Sequence, residues 1–120
     1  MGKAGRKDKN MEIIIKNGTP HAVKVVDKDG NLIREILPEE VTPRCSTTLE
    51  VVGDVAGIPI SRTAYGKVED LPDPEEGVFW IVSALVRTQL PERKDLLSPG
   101  QLVRDSEGKV IGCKSLDSNL

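Results

Sequence analysis

The run VFWIVSALVRTQLP, residues 78–91, decides the fold. Residues 78–82 carry no polar side chain, the pattern of a strand covered on both faces. Ser83 follows with the hydroxyl of a helix N-cap. Val82, Leu85, Val86 and Leu90 then recur at helical spacing and give one apolar face to a helix of about two turns. Pro91, which has no N–H to donate, closes it. The segment therefore predicts an interior strand over 78–82 running directly into a short helix over 83–90.

Upstream, residues 67–77, KVEDLPDPEEG, read as an acidic, proline-bearing loop. Before it, 48–52 and 58–63 read as strands joined through residues 53–57, GDVAG. Pro59 places the returning strand at an edge or at a bulge, because it cannot donate to a ladder. Residues 38–47, PEEVTPRCST, form a polar loop. Nearer the start, the β-branched run over 11–15 stops at Asn17-Gly18, and strands over 21–26 and 32–37 flank the turn Asp27-Lys28-Asp29-Gly30. Downstream, 91–100 is a charged loop anchored by Leu96 and Leu97, and strands over 102–105 and 110–113 flank a second turn. Both turns read Asp-x-acid-Gly-x-aliphatic-Ile, as an internal repeat or as one turn chemistry used twice.

Seven or eight strands and one helix follow. Most connections are too short for helical crossovers, so the expected class is α+β: a mainly antiparallel sheet with one short helix after a buried central strand. The core must be aliphatic, because Tyr65, Phe79 and Trp80 are the only aromatic residues. The length of 120 residues predicts one domain, placed over 11–116, with a basic arm over 1–10 and a tail over 117–120.

Composition narrows the function classes. With 38% apolar and 30% charged residues the chain has a globular makeup. Its longest apolar run is far short of the roughly 20 residues of a spanning helix, and no signal-like stretch follows the basic start, so a cytoplasmic protein is expected and no membrane partner. Four of the 17 basic and one of the 19 acidic residues lie in 1–10, leaving 13 and 18 in the rest, a net of −5. An acidic body with three aromatics argues against nucleic acid as a partner. One histidine and two cysteines 68 positions apart exclude most zinc frameworks, and Cys45 and Cys113 are expected as free thiols. No cofactor is implied.

Several stretches resemble a family of small proteins encoded by bacteriophages and prophages. They are Asn17-Gly18-Thr19-Pro20-His21; Gly57-Ile58-Pro59-Ile60 with Arg62 and Tyr65-Gly66; Leu71-Pro72 through Pro74; and the segment from Trp80 to Val86. Pro91, Arg93, Asp95-Leu96, Pro99 and the close from Arg104-Asp105 to Ile111-Gly112 also fit. The resemblance spans about residues 11–116. It implies a phage or mobile-element origin, and it brings no activity and no functional residues. Gly18 stands where the family has an aliphatic residue, a change expected to loosen the first turn.

The junction at Val82-Ser83 is the candidate site, because a helix start at the end of a buried strand offers free N–H groups to an anion. Ser83 adds a hydroxyl and Arg87 a charge; Arg93, Arg62, His21 and Thr19 are further candidate ligands. No glycine-rich phosphate loop accompanies them. His21 is the one candidate base, without the glycines of a nucleophile elbow around Ser83. Asp73, Glu75 and Glu76 read as a solvated acidic loop, and Asp27, Asp29 and Asn31 as turn residues, so no metal site is assigned. The expected function is an accessory binding protein for a host protein or an anionic, nucleotide-like small molecule, in a counter-defence setting. The alternative is a small hydrolase or transferase acting on a phosphate-bearing substrate with His21 as base. The apolar strands over 32–37 and 48–52 exceed what one short helix covers, so a homodimer or a host-protein partner is expected.

Overall fold

The computed structural model describes residues 12–120, and the expected basic arm over 1–10 lies outside them. The order is β1 (Ile14–Asn17), β2 (Val23–Val26), β3 (Leu32–Ile36), β4 (Arg44–Val55), β5 (Ile58–Glu69), β6 (Val78–Ile81), α1 (Ala84–Gln89), β7 (Leu96–Arg104) and β8 (Val110–Ser118). The chain is thus mostly β with one short helix. The first sheet has the order β1-β6-β7-β8-β2-β3, and β4-β5 stand apart as a two-stranded ribbon.

The strand–helix segment forms as its spacing predicts. Ser83 is the N-cap of α1, its Oγ accepting from the Val86 N–H, and Leu90 is the C-cap. Successive residues of β6 face opposite ways, and both ways are covered. Val78, Trp80 and Val82 pack with Val86 and Leu96 under α1 and the base of the β4–β5 ribbon. Ile81 packs with Val23, Ile36 and Cys113 on the other side. Ile81, Val82 and Leu96 are fully buried.

The six-stranded sheet is mixed, so the expectation of mainly antiparallel pairing holds only in part. β2–β3, β7–β8 and β4–β5 are antiparallel, but β1–β6, β6–β7 and β2–β8 are parallel. Turn residues announce hairpins, which are local and antiparallel; nothing local announces a parallel neighbour. Leu96 and Leu97 belong to a strand and not to a loop, pairing with Trp80 and Ile81. That makes α1 the crossover of a β–α–β unit, the connection parallel strands require.

The sheet curls until its two edges meet. Asn17 of β1 bridges Pro38 just after β3, and the Glu39 N–H donates to the Asn17 carbonyl at 2.8 Å. The Asn17 side chain is fully buried at this seam, and its Nδ2 donates to the carbonyls of His21 (2.8 Å) and Ile36 (2.9 Å). Gly18 does not loosen the turn beside it. A Cβ there would stand 2.9 Å from Pro43 Cδ and 3.1 Å from the Ile81 carbonyl, so glycine is what lets these groups close up.

The two Asp-x-acid-Gly segments are one turn chemistry used twice. Asp27 Oδ1 accepts from the Asp29 and Asn31 N–H groups, and Asp105 Oδ1 from those of Glu107 and Lys109. The segment over 117–120 is less of a tail than expected, since β8 runs on to Ser118.

The ribbon of β4 and β5 leaves the body. Its turn is shorter than the expected 53–57: Ala56 (φ 52°) and Gly57 (φ 84°) alone form it, with the paired positive φ values that suit the twist of a hairpin. Pro59 lies opposite Asp54, one step past the closing pair Val55–Ile58, on a strand with no neighbour on its other side. The ribbon gives the protein extents of 65 × 37 × 27 Å and a radius of gyration of 18.3 Å. A compact chain of this length would have about 14 Å.

Candidate functional site

A cleft of about 740 Å³ opens between the Thr19–Ala22 turn, the start of α1 and the paired strands β2 and β8. Thr19, His21 and Ser83, three of the six residues proposed from sequence, line it. Asn17 sets two of them in place. Its Oδ1 accepts from the Thr19 N–H at 2.9 Å and the Thr19 hydroxyl at 2.6 Å, while its amide holds the His21 carbonyl. Ser83 is fixed by its capping bond to the Val86 N–H at 3.2 Å, and its hydroxyl hydrogen stays free to donate.

The three arginines are committed elsewhere. Arg87 donates from Nε to Ser98 Oγ (2.8 Å) and from Nη1 to the Ser118 carbonyl and Asn119 Oδ1, tying α1 to the ends of β7 and β8. Arg62 pairs with Glu50 at 2.8 Å far out on the ribbon, with its side chain 70% exposed. Arg93 forks onto Asp95 at 2.9 and 2.8 Å and donates to the Pro72 carbonyl.

This last pair makes stability depend on acid. The bond from Arg93 holds the Asp95 carboxyl below the usual carboxylate range, against burial, which raises it. A lowered folded value means that the stabilisation is complete above the ordinary carboxylate pKa of about 3.9 and is lost as pH falls through the folded value. Asp95→Asn should therefore cost about 1–2 kcal/mol at pH 7 and less near pH 2. Thermal melts at both pH values measure this, and an equal loss at both would contradict it.

The cations of the cleft are two lysines that sequence reading did not single out. Lys24 comes from β2 and Lys109 from the turn into β8. Lys24 interrupts an apolar run and Lys109 follows a turn glycine, but only the parallel contact between β2 and β8 brings them to one opening. Gly112 permits that contact: a Cβ on it would lie 3.0 Å from the Lys24 carbonyl. Val82, Pro99, Leu102, Val110 and Ile111 make most of the lining apolar. No carboxylate lines the cleft among the described residues, and neither lysine makes a salt bridge among them.

Cys113 also reaches the lining, but it is buried, and that burial pushes its thiol up, so it stays protonated near neutral pH. Both cysteines are free. Among the described residues no three His, Cys, Asp or Glu side chains are grouped to hold a metal ion, and no helix is long and apolar enough to cross a membrane. The chain matches no family model, no curated protein and no solved structure.

Proposed function

We propose that this is a binding protein that takes up a small anionic ligand with an apolar portion, nucleotide-like in character, in the cleft between β2, β8 and the start of α1. One observation carries the reading: a largely apolar lining without a carboxylate among its described residues presents Lys24 and Lys109 together with Thr19, His21 and Ser83. Cations at a concave, low-dielectric surface attract an anion more strongly than cations on an open face. The cleft falls within the volume range of small-molecule sites. Lys24 and Lys109 would hold the negative group, and Val82, Leu102, Val110 and Ile111 would cover a ring or alkyl part. The resemblance to phage-encoded proteins supplies a setting, capture of a nucleotide signal used in host defence.

Hydrolase or transferase chemistry is the second reading, with His21 as base. It is less well supported. An acting imidazole is ordinarily oriented by a carboxylate, and none is among the lining residues described. The nearby thiol is held in its unreactive form.

The test is a thermal-shift screen with nucleotides and cyclic nucleotides, followed by calorimetry on any compound that stabilises the protein. A ligand at about 100 times its Kd should add about 2.7 kcal/mol. The double variant Lys24→Glu, Lys109→Glu should weaken binding at least about 100-fold, with far-UV circular dichroism establishing that the free protein stays folded, since Lys24→Glu also faces Glu35 across the sheet. Binding that survives both reversals would refute the cleft. A bound compound recovered chemically altered would favour the enzyme reading.

A further inference from the structure

We propose that the step between Thr19 and Ser83 in the cleft takes a neutral group of the ligand, one that both gives and accepts a hydrogen bond, while the negative group lies apart at the lysines. The inference rests on the nucleotide-type reading of the cleft and assigns the parts of such a ligand to its walls.

The strands bring the two hydroxyl residues to one place. β1 and β6 run parallel, and their last residues, Asn17 and Ile81, are partners. The Gly18 N–H still donates to the Ile81 carbonyl at 2.7 Å, so the two segments leave the sheet side by side. Thr19 and Ser83 each stand two residues past that last pair, and both line the cleft. Neighbouring strands lie about 4.8 Å apart, a gap that one small polar group bridges.

The two hydroxyls have opposite polarity. A hydroxyl has one hydrogen and two lone pairs. The Thr19 oxygen lies 2.6 Å from Asn17 Oδ1 and 2.9 Å from the His21 carbonyl oxygen. Asn17 Nδ2 donates to the His21 and Ile36 carbonyls, which fixes the amide with its oxygen toward Thr19. Both neighbours of the Thr19 hydroxyl are therefore acceptors, and its single hydrogen is spent on them. The Thr19 N–H is spent as well, on the same Oδ1. Toward a ligand the Thr19 side chain can only accept. Ser83 is the reverse: its Oγ already accepts from the Val86 N–H, and its hydrogen is free.

A phosphate oxygen placed at this step would meet a donor on one side and lone pairs on the other. A group that gives a hydrogen to Thr19 and takes one from Ser83 satisfies both. An N–H beside a carbonyl or ring nitrogen on a nucleobase edge does this, and so does a sugar hydroxyl. Lys24 and Lys109, which only donate, are left for the negative group.

Calorimetric titration of the full chain with pyrophosphate and with the common ribonucleoside 5′-diphosphates tests this. Thr19→Val keeps the shape of the side chain and removes its oxygen. It should weaken the best-bound nucleotide about tenfold and leave pyrophosphate within about twofold, while Thr19→Ser should retain the nucleotide affinity. Two analogues of that nucleotide tell the sources apart on the wild-type chain: one methylated at the N–H of its base edge, the other carrying a 2′,3′-dideoxyribose. One of them should lose about tenfold, and Thr19→Val should then cost that analogue nothing further. Far-UV circular dichroism establishes that Thr19→Val is folded; if it is not, the analogues on the wild-type chain decide. Loss of pyrophosphate as strong as loss of nucleotide in Thr19→Val overturns the proposal, because Thr19 then faces the negative group. So does an unchanged nucleotide affinity, or a pair of analogues that bind like their parent. Failure of the cleft itself looks different: no probe binds, or binding survives Lys24→Glu with Lys109→Glu, and the proposal falls with it.

Discussion

Asn17→Ala should lower the unfolding free energy by about 3–4 kcal/mol, a large part of the 5–15 kcal/mol typical of a domain. The side chain is fully buried and works at both ends: its amide serves the His21 and Ile36 carbonyls and its oxygen serves the Thr19 N–H and hydroxyl. Alanine strands buried backbone groups on both sides of the seam where β1 meets the end of β3. Each such orphan costs about 1–3 kcal/mol, against a net of about 1 for an ordinary exposed bond. Thr19 and His21 also lose their anchor, so affinity at the cleft should fall together with stability. Urea unfolding followed by circular dichroism gives the number. A loss below about 1 kcal/mol would mean that the seam closes without Asn17.

The second large effect belongs to Asn119. Its Nδ2 donates to the carbonyls of Arg87, Leu90 and Arg93 at 3.0–3.2 Å, and its Oδ1 accepts from Arg87. One amide thus gathers three carbonyls at the end of α1 and in the following turn, each of which also accepts one backbone N–H. α1 has only six residues, far too few to hold a helix by itself, so it depends on such ties. Asn119→Ala should cost about 2–3 kcal/mol. Removing Leu120 alone, which is 87% exposed, should cost less than about 0.5 kcal/mol. Equal effects from the two changes would show that the amide is not the tie.

Local chemistry explains which features were legible in the sequence. The apolar run at 78–82, the cap at Ser83 and the stop at Pro91 act within a few residues of one another, and the β6–α1 unit follows them. The Asp-x-acid-Gly turns were legible for the same reason. The parallel pairs were not, because β1–β6 and β2–β8 join distant residues with no turn between them to read. The site divided along that line. Thr19, His21 and Ser83 reach the cleft, whereas Arg87 and Arg93 were named for their charge and are engaged by Ser98, Asn119, Asp95 and Pro72. Lys24 and Lys109 escaped notice because their meeting depends on a tertiary contact. Asn17 read as half of an Asn-Gly turn, and its role at the seam depends on Ile36, 19 positions later.

The parallel pairing of β2 with β8 also sets an order of events in time. Val25 faces Cys113, so β2 has no neighbour on that side until almost the whole chain has been made. At a synthesis rate of about 5–20 residues per second, β2 and β3 wait several seconds as a lone hairpin, with Val23, Val26 and Ile36 uncovered. Such non-local closure is slow in a finished chain as well, because loop entropy must be given up before any contact rewards it. A nascent chain stalled before β8 is therefore the form most open to proteases and to chaperones that hold bare apolar strands.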